Sequence, residues 1–322
     1  MEIFLPILEQ MLFLFVFIAI GFLLSKFKIL HDDAAKTISI LENYVFVPGL
    51  VLFTFLEKCT IETLSSVGNL VLLSFLMVAI LIPTSLFVSK LCFKEKNLRN
   101  IATYGLAFSN FGFMGNAIMS SIFPEIFFEY TIFTLPFWFM IYLWGVPILL
   151  MPKDADDEKG KFINRLKSFV NPMLIAMFIG IILGLVDAGK YLPTSIKSVI
   201  KVSGDCMSPI AMILTGITIG RSNILELIKK WRIYLTSIIR LLVYPLAILL
   251  LLYLLPQNNF FTPTFYKCAI CMAAMPMGLN AIVVPAAYGQ DTTDAAGMAL
   301  ISHVMSIGTI PLIFMLLEIC FG

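Results

Sequence analysis

The chain has 322 residues, of which 60% are hydrophobic and only 13% are charged, and its mean hydropathy is +0.97. A water-soluble domain of this size carries more charge on its surface, so the composition indicates an integral membrane protein. The net charge of +2 comes from Lys and Arg scattered over many loops, which excludes a basic surface for nucleic acid. The six cysteines lie mostly in or beside apolar runs and imply no disulfide framework.

Apolar runs long enough to cross a bilayer recur along the whole chain, since a spanning helix needs about 20 apolar residues. Marking each run and the polar break after it predicts ten spans. In chain order they are 6–25, 37–56, 67–92, 99–122, 126–150, 169–187, 204–220, 233–255, 265–288 and 294–320. We therefore expect an all-α integral membrane fold. Asp205, beside Gly204, is expected to cap the start of span 7.

The charged segment 151–168 divides the chain into two halves of five spans, 1–150 and 169–322. An odd number of spans reverses the orientation of the second half, so we expect two inverted five-helix repeats. If the first span enters from outside, the cytoplasmic loops carry sixteen Lys and Arg and the opposite face carries five. Positive charge is retained on the cytoplasmic side. This distribution predicts a cytoplasmic linker at 151–168 and both termini on the non-cytoplasmic side of the cell membrane.

Short matching segments support a duplication. The Asn-Ala-Ile triplet at 116–118 in span 4 recurs at 280–282 in span 9, 164 residues later. Pro48 and Thr54 of span 2 are matched by Pro209 and Thr215 of span 7, each 161 residues later. Because apolar segments use few residue types, coincidence is the alternative explanation.

Spans 4 and 9 contain residues that interrupt a helix. Span 4 holds Ser-Asn-Phe-Gly-Phe-Met-Gly-Asn at 109–116, whose glycines and asparagines are poor helix formers. In span 9, Pro276 removes a backbone donor and clashes with the preceding turn. Unpaired backbone groups are costly in hydrocarbon, so such breaks persist only where protein or a water-filled cavity satisfies them. Two breaks at matching positions predict a polar site, as in secondary transporters built from inverted repeats.

The start of each second half-helix offers free N–H groups and a partial positive charge, which suit a carboxylate. Asparagine side chains add neutral amide donors there. Close helix packing by small residues is the alternative explanation. The predicted substrate-binding residues in the two spans are Asn110, Gly112, Gly115, Asn116, Pro276, Met277, Gly278 and Asn280.

Three ionisable residues are candidates for a coupling or charge role. Arg240 lies inside span 8, where a charge is costly; it meets an anionic substrate, pairs with Glu42, or reaches back to the interface. His303 lies near the middle of span 10 and either relays protons or packs as a neutral, hydrogen-bonded residue. Glu42, near the inner end of span 2, lines an inner vestibule or is solvated at the interface.

Two glycine pairs, Gly180 with Gly184 and Gly216 with Gly220, have a spacing that allows close backbone approach, including at a dimer interface. The sequence contains no zinc-protease, nucleotide-binding or nucleophile-elbow motif. It therefore predicts no enzymatic activity, no cofactor and no metal site.

Several stretches resemble one transporter family: 108–115, Asn171-Pro172, 204–216, and 274–281 followed by Tyr288-Gly289. They are similar to the auxin efflux carrier family of bacterial and plant transporters, which includes proteins assigned to malate and related organic acids. The resemblance implies a scaffold of spans 1, 2, 6 and 7 that dimerises and a moving transport domain of spans 3–5 and 8–10. It also implies that spans 4 and 9 cross at the substrate site, with Asn171 close to it.

The sequence departs from the family at one position. The family has a residue and then proline after the second glycine of span 4, whereas this chain has Asn116 and Ala117. The difference predicts a softer break in span 4 and an altered pocket.

We therefore expect a secondary transporter that works by alternating access and moves a small organic anion, such as malate or an auxin-like carboxylate. The energy source is left open between uniport, H⁺ coupling and Na⁺ coupling. One alternative is a sodium- or proton-coupled symporter of the bile-acid type. The other, from a different class, is a membrane sensor that binds a ligand without moving it. The expected partners are the substrate, the lipid bilayer and a second copy of the chain in a homodimer.

Overall fold

The structure is a computed structural model that describes residues 3–151, 172–221 and 231–321. These residues are almost entirely helical and form no β-strand apart from one isolated bridge. The main helices are α1 Phe4–Lys26, α2 Ala34–Lys58, α3 Gly68–Cys92, α4 Lys96–Ala107, α5 Asn116–Ile122, α6 Pro124–Leu150, α7 Pro172–Leu185, α8 Thr194–Arg221, α9 Trp231–Leu254, α10 Pro263–Ala274, α11 Asn280–Ala287 and α12 Thr293–Phe321.

Seven of the helices in these ranges are long and apolar enough to cross a bilayer, namely α1, α2, α3, α6, α8, α9 and α12. Helix α7 is apolar but shorter, with 14 residues after the undescribed segment 152–171. Predicted spans 4 and 9 each occur as two shorter helices, α4 with α5 and α10 with α11. The all-α membrane class is confirmed, whereas ten spans in an inverted repeat stay a prediction.

Helix α8 begins ten residues before the predicted start of span 7. Its first part, Thr194–Asp205, has exposed side chains on most positions, and a single turn at Cys206 joins it to the apolar part Met207–Arg221. Asp205 ends this first part and accepts a hydrogen bond from Lys201 Nζ at 2.8 Å. The expected cap at Asp205 is therefore wrong, because a polar helix here precedes the apolar run.

Glycines allow two pairs of helices to pack with their backbones close together. A Cβ atom added to Gly216 of α8 would lie 2.0 Å from the Ile18 carbonyl oxygen of α1. A Cβ atom on Gly184 of α7 would lie 2.5 Å from the Phe55 carbonyl oxygen of α2. Both glycine pairs singled out in the sequence are thus used for packing within the chain.

The interrupted helices lie at the centre of the molecule. Every residue of 101–115 and of 268–286 is buried, whereas α1 and α3 expose large apolar side chains such as Phe13, Phe75 and Ile80. Exposed apolar helices around a buried centre are expected when lipid is the solvent. The surrounding helices therefore hold two short helix pairs away from lipid.

Candidate functional site

Both interruptions predicted from the sequence are present. Helix α4 ends at Ala107, residues 108–110 are non-helical, and a π-helical turn, Phe111–Gly115, leads into α5. Helix α10 ends at Ala274, residues 275–279 are non-helical, and α11 begins at Asn280. The π-helical turn directly before Asn116 fits the softer continuation expected where the family has proline.

The two interruptions pair with each other through their backbones. The Asn110 N–H donates to the Pro276 carbonyl at 2.7 Å, and the Gly278 N–H donates to the Phe108 carbonyl at 3.0 Å. These two bonds flank an antiparallel bridge between Ser109 and Met277. Each break therefore satisfies backbone groups that the other has left without a helical partner.

Two serine hydroxyls complete this pairing. Ser109 Oγ donates to the Met272 carbonyl in the last turn of α10, at 2.6 Å. The Met277 N–H donates to Ser302 Oγ of α12, at 2.9 Å. The crossing is thus bonded both to itself and to α12.

The predicted glycines allow neighbouring parts of the chain to approach the two breaks closely. A Cβ atom on Gly278 would lie 2.8 Å from the Phe108 carbonyl oxygen, so a larger residue would push the two breaks apart. Cβ atoms on Gly112 and Gly115 would meet α6, at 2.5 Å from the Trp138 ring and 2.2 Å from the Tyr130 hydroxyl. The Tyr130 hydroxyl donates to the Phe111 carbonyl at 3.0 Å. Helix α6 therefore supports the unwound part of the first break.

Arg240 of α9 binds the ends of both interrupted helices. Its Nη1 donates to the Leu106 carbonyl of α4 at 3.1 Å, and its Nη2 donates to the Met272 carbonyl of α10 at 2.9 Å. Its Nε donates to the Met275 carbonyl, just past the end of α10, at 3.1 Å. The carboxyl end of a helix carries a partial negative charge of about half a unit. Two such ends together offset the charge of one buried guanidinium.

This arrangement differs from two of the roles considered for Arg240. The side chain is only 1% exposed, so it does not reach the interface. Glu42 is also fully buried, and neither of its carboxylate oxygens has a hydrogen-bond partner among the described residues. The pairing of Arg240 with Glu42, one of the three alternatives for Arg240, is therefore not formed. Glu42 is also not solvated at the interface, because helices α7, α8 and α11 pack around its segment of α2.

Asn110 is hydrogen-bonded to His303. Asn110 Nδ2 lies 3.0 Å from His303 Nε2, and His303 Nδ1 lies 2.7 Å from the Ala299 carbonyl one turn earlier in α12. Both side chains are only 1% exposed. The other terminal atom of the amide, Asn110 Oδ1, is buried and has no partner among the described residues.

The other predicted site residues are placed as follows. Asn280 is 5% exposed at the first position of α11, close to the buried Tyr104 hydroxyl. Asn116 is half-buried at the start of α5. Asn171 lies outside the described residues. The crossing therefore brings together most of the predicted set, with Arg240 and His303 bound directly to it, while Glu42 lies in the part of α2 against which α11 packs.

Four residues of the crossing were not predicted from the sequence: Ser109, Tyr130, Ser208 and Ser302. Ser208 of α8 donates from Oγ to the Phe113 carbonyl of the first break, at 2.6 Å. Ser109 and Ser302 are adjacent to Asn110 and His303 in the chain, and this adjacency was a usable signal. Ser208 lies in the stretch 204–216 that resembles the family, which was a further signal, whereas nothing in the sequence distinguishes Tyr130 from other polar residues in apolar runs.

Long apolar helices around two interrupted helices that meet at a buried polar centre define a multi-pass membrane protein of the kind that moves solutes. The protein family described as "Membrane transport protein" matches residues 6–314 of this chain. The chain belongs to this family, and the resemblance to auxin efflux carriers is confirmed. It is also 26% identical to an uncharacterized transporter of Methanothermobacter thermautotrophicus, over 96% of this chain and 98% of that protein.

Proposed function

We propose that this membrane transporter carries a small organic anion, such as malate or an auxin-like carboxylate, by alternating access at the crossing. The observation that carries the proposal is the reciprocal backbone pairing of the two breaks, Asn110 with Pro276 and Gly278 with Phe108. A backbone break is stable in a membrane only where protein or a cavity satisfies it. A paired break beside polar side chains is therefore suited to bind a solute.

The charges at the crossing favour an anion. Arg240 occupies the carboxyl ends of α4 and α10, so their negative partial charges are already compensated. The amino ends of the second half-helices, at Phe111 and Asn280, carry a partial positive charge, although the N–H groups of Ala281 and Ile282 already donate to the Gly278 and Leu279 carbonyls. Asn280 lies at one of these ends, where its side-chain amide is a further donor. Binding at two amino ends suits a carboxylate better than a cation.

The helix packing supports a division into a scaffold and a moving domain. Helix α1 packs on α8, and α2 packs on both α7 and α8, which would form the scaffold. Helix α3 packs on α4 and α6, while α9, α10 and α12 pack on one another, which would form the transport domain. We propose that these groups derive from two inverted five-helix repeats, with both termini on the non-cytoplasmic side. The transport domain would slide or rock against the scaffold and carry the crossing with it.

Asn280→Ala is expected to reduce organic-anion uptake into proteoliposomes at least about tenfold, because a hydrogen bond to a charged group contributes roughly 1.5–3 kcal/mol. Uptake of radiolabelled malate, succinate and indole-3-acetate would be measured with the full-length protein. Asn259→Ala is the matched control, since it makes the same change in the exposed loop between α9 and α10. Uptake that is unchanged in the Asn280 variant would exclude Asn280 from the site.

The same flux measurement separates the transporter from a sensor. A sensor binds one of these acids in a thermal-shift assay but produces no flux in proteoliposomes. Replacing Na⁺ by K⁺ in the same vesicles tests the sodium-coupled alternative, because a sodium symporter loses uptake under that change.

A further inference from the structure

The hydrogen bonds of His303 determine which end of the Asn110 amide faces it. A backbone carbonyl only accepts hydrogen bonds, so His303 Nδ1 carries a hydrogen and donates it to Ala299. In the neutral ring Nε2 is then an acceptor, and Asn110 must present its NH₂ group to it. The amide atom turned away from His303, the outward atom, is consequently the oxygen Oδ1. It is buried and has no partner in the described part of the chain.

We infer that protonation of His303 rotates the Asn110 amide by half a turn and so changes the outward group at the crossing from an acceptor to a donor. In the protonated ring Nε2 also carries a hydrogen, and only Asn110 Oδ1 can accept it. The NH₂ group then occupies the outward position, where it can donate to a carboxylate. His303 thus acts as a positioning residue that couples one proton to one bound anion. This inference rests on the proposed function, because it assigns Asn110 to the anion site.

Neutral His303 instead favours a different ligand. With Oδ1 outward, Asn110 opposes a carboxylate and accepts from a hydroxyl or an undissociated acid. An ionised anion therefore binds best when a proton enters the site with it. The bound anion also stabilises the imidazolium, since an unpaired buried charge is costly and a buried pair is less so.

Other titratable groups lie on the helices that pack against α12. On these helices they are Glu9 and Lys26 of α1, Lys96, Arg99 and Tyr104 of α4, Arg221 of the apolar part Met207–Arg221 of α8, Arg232, Tyr234, Arg240, Tyr244 and Tyr253 of α9, and Tyr266, Lys267, Cys268 and Cys271 of α10. Helix α11 has none, and α12 itself has Asp294, Glu318 and Cys320 besides His303.

None of these groups bonds to the His303 ring, whose two nitrogens are accounted for by Ala299 and Asn110. Arg240 lines a small cavity together with Ser302, the residue before His303. Its charge opposes protonation of the ring, although three carbonyls already bind it. Protonation of His303 therefore depends on a negative charge supplied by the ligand.

Anion affinity is expected to rise as the pH falls, approaching about tenfold per pH unit where one proton is taken up per anion. Uptake and binding of the best substrate among malate, succinate and indole-3-acetate would be measured between pH 5.5 and 7.5. His303→Gln should lose this slope, because glutamine does not titrate. His31→Gln is the matched control: it replaces the other histidine of the chain, which is exposed between α1 and α2, and should keep the slope.

Glu42→Gln tests whether Glu42, another buried titratable residue, is the source of the pH dependence of anion affinity. A slope lost in Glu42→Gln and kept in His303→Gln would overturn the inference while leaving the transporter proposal intact. Absence of uptake and binding for every acid at every pH would instead overturn the proposed function itself and the inference with it.

A second measurement leaves His303 itself unchanged. The ring ¹⁵N shifts of His303, recorded by NMR on ¹⁵N-histidine-labelled His31→Gln protein, report which ring nitrogens are protonated. At pH 7.5 without ligand, we expect a proton on Nδ1 alone. With saturating substrate we expect protons on both nitrogens, and a ring that stays neutral in the loaded protein would overturn the inference.

Discussion

Arg240→Met is expected to abolish anion uptake and to lower the melting temperature of the purified protein by roughly 5 °C or more. The change preserves much of the side-chain bulk but removes the guanidinium donors from the carbonyls of Leu106, Met272 and Met275, of which Met272 keeps the bond from Ser109 Oγ. A buried polar group left unsatisfied costs about 1–3 kcal/mol. All three carbonyls lie at the carboxyl ends of the interrupted helices, so the crossing itself should loosen.

Arg232→Met is the matched control, because it makes the same substitution on the same helix at an exposed position. Its guanidinium lies 5.7 Å from the centre of the neighbouring Trp231 ring, and its loss should leave stability and uptake nearly unchanged. Equal melting temperatures for the two variants would show that the three carbonyl contacts do not stabilise the crossing.

Arg240→Lys separates charge from geometry. Lysine keeps the positive charge at the two helix ends, but its compact ammonium cannot reach three carbonyls in the way that a planar guanidinium does. We expect a stability between those of the wild type and Arg240→Met. If Lys restored full stability and uptake, the charge alone would be sufficient.

The sequence predicts the interruptions well because their causes are local. Pro276 cannot continue a helix, and the glycines and asparagines of 109–116 weaken one. Apolar length likewise predicts most long helices, because the bilayer thickness sets it. The polar first part of α8 was missed since it has no apolar run, and only the helix that follows it carries the membrane signal.

The partners of the buried ions could not be predicted in the same way. Arg240 binds backbone carbonyls, which every residue has, so its contacts leave no pattern of residue types. A carboxylate was therefore the natural partner to expect, and Glu42 was the nearest candidate by depth. The His303 bond to Asn110 joins residues 193 positions apart and depends on how α12 lies against the first break. Such long-range contacts are determined by packing, which a single sequence does not display.

Gly216→Ala is expected to destabilise the protein by about 3 kcal/mol or more, at the upper end of the usual cost of overpacking. The added Cβ atom would lie 2.0 Å from the Ile18 carbonyl oxygen and 2.7 Å from the Phe22 backbone nitrogen. Both neighbours belong to the backbone of α1, so no side chain can move aside to make room. The two helices must separate, and their separation would open the proposed scaffold. Thermal unfolding of the purified protein measures the effect.

Gly308→Ala makes the same chemical change but is expected to have the opposite effect on stability. Gly308 lies inside α12, and a Cβ atom added there meets no atom within 4 Å. Alanine favours a helix over glycine by about 1 kcal/mol, so this variant should be as stable as the wild type or more so. If Gly216→Ala were as stable as Gly308→Ala, α1 and α8 could separate without a cost in free energy. In that case the scaffold would not be the rigid partner that alternating access requires.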